Sequence, residues 1–199
     1  MFAALLLVFL TIVYRVATAI FVHGGGSAWL ANFAPMAAIA LCSAIYLPRK
    51  YKFTLPFGAL LVSDLILNSY YGFSLFSPMV LGHYLAFAVV GLIGLAISRR
   101  PSLTVVLPAS LGGSVVFYTI TNALSWLTDP GYVKNFAGLL QALTVGLPQY
   151  GATPTWMFFR NSVVSDLLFT LLFVACMNFS RRPVAARVSP APASRPLPN

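Results

Sequence analysis

Apolar residues run along this chain in long unbroken blocks, and the few polar positions inside those blocks fall singly. Six stretches, about 2–22, 33–47, 53–70, 78–98, 103–127 and 159–179, are long enough or nearly so to cross the roughly 30 Å hydrocarbon slab of a bilayer as helices. They predict an all-α fold: a six-helix transmembrane domain over 1–180. The segment 181–199 is rich in Pro, Ala and Arg without apolar periodicity, which predicts a disordered tail. The connection 128–158 is too long for a passive turn. It contains an apolar piece, 136–147, ended by Pro148, that predicts a short interfacial or re-entrant helix. The start resembles a signal peptide, with Ala17-Thr18-Ala19 placed like a cleavage site. No positive charge precedes the apolar run, however, and Arg15 interrupts it, so the segment reads as a retained first helix.

Composition narrows the class. At 59% hydrophobic and 8% charged residues over 199 positions, with a mean hydropathy of +0.88, the chain is too apolar to present a wetted surface around one soluble core. Its net charge of +9 resides in short clusters: Arg49, Lys50 and Lys52; Arg99 and Arg100; then Arg181, Arg182, Arg187 and Arg195. Such spacing suits topology determinants instead of a nucleic-acid face, and no nucleic-acid partner is expected. By the positive-inside rule both termini and the basic loops are cytoplasmic. The nearly base-free connections 23–31, 71–77 and 128–158 then face outward, with Lys134 the one base among them. The expected location is a bacterial inner membrane, crossed several times, with the basic tail suited to anionic lipid. Trp29, Trp126 and Trp156 fall at the outer boundary, as an aromatic belt or as stacking surfaces for a ligand.

The candidate chemistry is sparse. Cys42 and Cys176 lie in separate apolar runs, and His83 has no second ligand at metal spacing, so neither metal nor cofactor is expected. Gly24-Gly25-Gly26 lacks the strand and the Lys-Ser/Thr of a phosphate loop. Of only three acidic residues, two sit within spans, in the near copies Val62-Ser63-Asp64-Leu65 and Val164-Ser165-Asp166-Leu167. A charge at the centre of a span costs roughly 2.5–3.5 kcal/mol on insertion scales, which makes each a functional-site hypothesis. At 1.5 Å per residue, Asp64 and Asp166 both fall in outer helix halves, level with Arg15, His83 and Asn122. Two readings follow. The five residues line an outward-facing pocket, with Asn32, Asn135, Trp126 and Trp156 as lid contacts; or they form a buried network that only fixes helix packing. A proton relay through the two acids and the histidine is a third possibility. Asn32-Phe33-Ala34 and Asn135-Phe136-Ala137 stand 32 and 31 residues before the two Asp positions, which is either an inverted repeat or chance.

Asn32-Phe-Ala-Pro-Met-Ala-Ala, Leu60-Leu-Val-Ser-Asp-Leu, the stretch 132–140 and Phe159-Arg-Asn-Ser-Val-Val-Ser-Asp-Leu-Leu-Phe-Thr resemble a bacterial family of small integral membrane proteins of unknown function. That family is itself similar to the substrate-binding S components of energy-coupling-factor (ECF) vitamin transporters. The likeness covers nearly everything before the tail, with Ser165 standing where S components often carry Gly before Asp-Leu. It implies an S-component-like bundle of six helices that holds a small molecule in its outer helix halves. The implied role is uptake of a vitamin-like or other small metabolite, with an ECF-type energising module as a possible partner. S components commonly carry an Ala-x-x-x-Ala pattern in helix one for docking their coupling subunit; helix one here lacks it, and the spacing occurs in the second helix, as Ala34/Ala38 and Ala40/Ala44. No nucleophile-base constellation is visible, and an enzyme is not expected. The alternative function is a non-transporting structural or interaction subunit.

Overall fold

The structure, a computed structural model, describes residues 2–27, 30–72, 74, 76–151 and 153–180. The expected tail over 181–199 and the belt residue Trp29 lie outside the described residues. The described elements are helical throughout: α1 (Phe2–His23), α2 (Met36–Tyr46), α3 (Thr54–Tyr71), α4 (Pro78–Ile97), α5 (Leu103–Thr128), α6 (Phe136–Leu143) and α7 (Thr155–Ser180), with single 3₁₀ turns at Arg49–Tyr51 and Pro148–Tyr150. Their boundaries follow local chemistry. Ser77 caps α4 by accepting from the Val80 amide at 3.2 Å, with Pro78 in the first turn, where the missing N–H is not needed. Asn135 caps α6 in the same way through the Gly138 amide at 2.9 Å. Helix α3 stops at Gly72, whose φ of +71° is the left-handed conformation that closes a helix end.

Five of these helices, α1, α3, α4, α5 and α7, are long and apolar enough to cross a membrane. The chain is a multi-pass membrane protein by this measure. The second of the six expected spans is different. Helix α2 has 11 residues, about 17 Å at 1.5 Å per residue, or roughly half a bilayer core. Pro35 is the reason: it disfavours helix at the residue before it and cannot itself donate to a preceding turn. The segment from Asn32 to Pro35 is therefore irregular, and Asn32 adopts φ +55°. Irregular backbone at membrane depth is tolerated only where protein or a polar cavity surrounds it. The connection 128–158 does contain the short helix expected there, as α6.

Helix α2 is the hub of the bundle. It packs against α3, α4, α5 and α7, and every residue from Ala37 to Tyr46 is buried, as befits a helix apolar on all faces. The approach to α4 is close enough that a Cβ on Gly94 would stand 2.5 Å from the Leu41 carbonyl oxygen. Ala38, Ala40 and Ala44 are buried in these contacts, so their small side chains serve packing inside the bundle. Around this hub the large exposed apolar side chains, among them Phe9 and Phe21 on α1, Leu81 and Leu92 on α4, and Leu168 and Leu172 on α7, form the face that lipid would cover.

Candidate functional site

Half a helix inside a bundle leaves its first amides without partners. No side chain of its own caps α2, since Pro35 holds the N-cap position. The missing acceptor comes from near the middle of α7: Asp166 Oδ1 accepts from the Ala38 amide at 2.9 Å. Its Oδ2 accepts from the Ser114 hydroxyl on α5 at 2.8 Å. At the opposite end of α2, Lys52 Nζ donates to the Ala44 carbonyl at 2.6 Å. Acid at the start and base at the end complement both poles of the α2 dipole.

The other intramembrane acid is satisfied separately. Arg15 on α1 reaches across to α3, where its Nη2 lies 2.7 Å from Asp64 Oδ1 and its Nη1 donates to the Ser63 hydroxyl. This side-chain pair is mostly buried, at 18% and 9% exposure. The two Ser-Asp-Leu stretches thus share a local habit and differ in partner. Ser63 and Ser165 each donate to a carbonyl three residues back, at 2.9 and 3.1 Å, while one Asp takes a guanidinium and the other a helix start. The Asn-Phe-Ala stretches differ as well: α6 begins directly after Asn135, whereas α2 begins only after Pro35.

Between the start of α2 and the α6 end of the bundle lies a cavity of about 230 Å³. Arg15, His83, Asn122, Asp166 and Asn32 from the expected set all line it. Asp64 does not; it faces an adjoining cavity of about 460 Å³, and Arg15, Met79 and His83 form the wall common to both. Trp126, Asn135 and Trp156 are outside either lining. Trp126 donates from Nε1 to the Val133 carbonyl at 2.9 Å, Asn135 caps α6, and Trp156 is 49% exposed beneath the Arg160 guanidinium, 5.8 Å from its ring centre. Among the described residues no three His, Cys, Asp or Glu side chains gather where a metal could sit.

A family model covers residues 1–189. The chain belongs to this family of unknown function, DUF6580. No curated protein and no solved structure matches the chain.

In this DUF6580 chain, helix α5 supplies more of the cavity wall than Asn122 alone: Ser114, Phe117, Tyr118, Thr121 and Ser125 also line it. These positions recur at three- and four-residue intervals, so they share one helix face. A polar stripe of that kind on an otherwise apolar span was the signal that could have found them. Asn161 was equally invisible as a single polar residue. It is buried and ties the α1–α2 connection to α7 by donating to the Ala31 carbonyl at 2.9 Å, while Ser162 donates to the Asn32 carbonyl at 3.2 Å. Over the cavity, Tyr118 donates to the Leu143 carbonyl at 2.7 Å, which anchors the α6 connection to α5.

At the mouth of that connection Asp129 closes a small polar turn. Its carboxylate accepts from the Tyr150 hydroxyl at 2.6 Å and the Gly131 amide at 2.8 Å, and the Lys134 ammonium donates to the Trp126 and Asp129 carbonyls. The Tyr150 hydrogen bond, then the Gly131 amide, hold the Asp129 carboxyl below the ordinary carboxylate range, because both donors favour its charged form.

Proposed function

We propose that this protein is a substrate-binding membrane protein for uptake of a small metabolite, in which the 230 Å³ cavity receives the solute. One observation carries the reading: a half-length helix opens, at mid-bundle, onto a polar cavity lined by Arg15, His83, Asn122 and Asp166. Interrupted helices whose ends face a solute at membrane depth are the building principle of many transporters. The resemblance to S components supports the same reading and adds an ECF-type energising module as partner. The charge rule supports an orientation in which the α6 end faces outward, since Arg49, Lys50, Lys52, Arg99 and Arg100 all cluster at the other end. In a bacterium that membrane is the inner one, and the solute enters from the outer face.

The test is direct. Protein purified in mild detergent is denatured, and the released small molecules are identified by mass spectrometry. Thr121→Trp, which fills the cavity from α5, is prepared in parallel. A molecule present with the wild type and absent from Thr121→Trp supports the cavity as its site. If nothing is released and Thr121→Trp supports growth on every solute as well as the wild type, the binding reading fails.

A second reading, a structural or interaction subunit, is favoured by a specific observation: both intramembrane acids are already satisfied by protein, Asp64 by Arg15 and Asp166 by Ala38 and Ser114. It predicts that Asp64→Asn and Asp166→Asn lower thermal stability with no change in any uptake phenotype.

A further inference from the structure

The lining of the 230 Å³ cavity is rich in hydrogen-bond acceptors. Most of its donor groups already make a bond to the protein. Arg15 is held by Asp64 and Ser63, and the Ser114 proton has Asp166 and the Ser110 carbonyl as acceptors. The Thr121 hydroxyl donates to the Phe117 carbonyl at 2.9 Å, and Asn122 Nδ2 to the Tyr118 carbonyl at 2.8 Å. His83 bonds the Met79 carbonyl through Nδ1 at 2.8 Å, which fixes the proton there and leaves Nε2 as an acceptor. What these bonds leave is three N–H groups of Arg15, one N–H of Asn122 and a larger set of lone pairs: His83 Nε2, Asn122 Oδ1 and the hydroxyl oxygens. Asn32, Ser125 and Thr155 can turn either a donor or an acceptor inward.

Charge points the same way. Arg15 and Asp64 cancel each other at 2.7 Å, whereas Asp166 has no basic side chain bonded to it among the described residues. The start of α2 directs its positive pole and the Ala38 amide at this carboxyl group. Asp166 is therefore the one acid lining the cavity without a basic partner among the described residues, beside several acceptors and the rings of Phe117, Tyr118 and Phe158. An anion entering it would face the Asp166 carboxyl and a guanidinium whose charge Asp64 already neutralises.

We propose that the solute is a compact organic cation with its charge on N–H-bearing nitrogen, such as an ammonium, an amidinium or a protonated amino-heterocycle. This rests on the binding reading above and assigns its substrate class. The N–H groups engage Asn122 Oδ1, His83 Nε2 and the Asp166 side of the cavity, and the flat or apolar part lies against the aromatic rings, where a cation is also attracted to ring faces. The volume falls below the roughly 300–1,000 Å³ of pockets for drug-sized ligands, which fits a molecule of one small ring.

Four single-ring probes that differ only in their head group test this by calorimetric titration of the detergent-purified protein: benzamidine and benzylamine as cations, benzamide as neutral, benzoate as anion. The expected result is that both cations bind at least tenfold tighter than benzamide and that benzoate gives no heat above the micelle blank. Asp166→Asn should weaken the cations about tenfold, as for a hydrogen bond to a charged group, and leave benzamide unchanged. Because that variant also loosens the start of α2, Asn122→Ala serves beside it; it removes an acceptor with no other side-chain partner and should weaken the cations about threefold. Benzamide or benzoate binding as tightly as the cations would overturn the charge assignment and leave the cavity reading standing. Cation binding unchanged in both variants would place the site elsewhere and overturn the proposal. Absence of binding by all four probes, together with no molecule released from the purified protein, would sink both.

Discussion

Replacing Asp166 by Ala tests whether a carboxylate from α7 holds the start of α2. The Ala38 amide, bonded at 2.9 Å, would be left without an acceptor in a buried site, which costs about 1–3 kcal/mol. Removing the charge from the helix start adds about 1 kcal/mol in a partly buried geometry. Ser114 contributes little to the loss, because its hydroxyl can turn fully to the Ser110 carbonyl at 3.1 Å. The sum is about 2–4 kcal/mol, which for a chain of this size lowers the unfolding midpoint by roughly 5–15 °C. Asp166→Asn keeps an oxygen for the Ala38 amide and loses only the charge, so it should fall by less than half as much. Thermal unfolding in detergent, read by tryptophan fluorescence, separates the two. An Asp166→Ala midpoint within 2 °C of the wild type, or an Asn variant as damaged as Ala, would refute the reasoning, since the helix start would then not depend on this carboxylate.

Arg15→Met strands Asp64 in a site 9% exposed and should destabilise by about 3 kcal/mol, while Arg15→Met with Asp64→Leu recovers most of it; the same melting assay reads both. Gly94→Ala sets a Cβ 2.5 Å from the Leu41 carbonyl oxygen and should cost about 1–3 kcal/mol by forcing α4 from α2, whereas Gly58→Ala, with open space around its Cβ, should be nearly silent in the same melt. Asp129 has a lowered carboxyl pKa in the folded chain, so its contribution is present above the unfolded value of about 3.9 and is lost as pH falls through the folded value. Tyr150→Phe removes the first cause of that shift, so opening of the 129–150 connection, followed by limited proteolysis at acid-stable sites, should begin at higher pH in the variant. A cysteine placed at Lys134 should react with a membrane-impermeant maleimide in intact cells, and one at Arg99 only after lysis; the reverse pattern would invert the proposed orientation.

Apolar block length was enough to foresee five membrane-crossing helices and the short α6, because a span needs about 20 apolar residues whatever it packs against. It misjudged α2. The block 33–47 has the composition of a span, but Pro35 lies inside it, and a proline's effect is a matter of backbone geometry that hydropathy does not register. The residues from Asn32 to Pro35 could be given to a helix only by ignoring that restriction. Once they are removed, the remaining 11 residues require an acceptor for their first amides, and Asp166 supplies it. The acid that looked costly from composition is thus the consequence of the proline that shortened the helix.

The same logic explains which parts of the site were legible. Arg15, His83, Asn122 and Asp166 stand out because each is a lone polar residue in an apolar run, and all four line one cavity, while Asp64 of the same expected layer does not. Their pairing was not legible, since Arg15 could reach either acid at that depth, and only the packing of α1 on α3 directs it to Asp64. Ser114 and Thr121 were hidden by their size, since a small hydroxyl within a span serves helix packing as readily as a site, and only the fold sets them on the cavity wall beside Asp166. Arg15 is therefore better understood as a partition than as a counter-ion for the whole layer. It neutralises Asp64 and walls one cavity from the other, and by doing so it leaves Asp166 as the one acid of the 230 Å³ cavity without a basic partner among the described residues. On the proposal that the cavity takes a cation, moving the guanidinium toward Asp166 should abolish the preference for cations over benzamide in the same titrations.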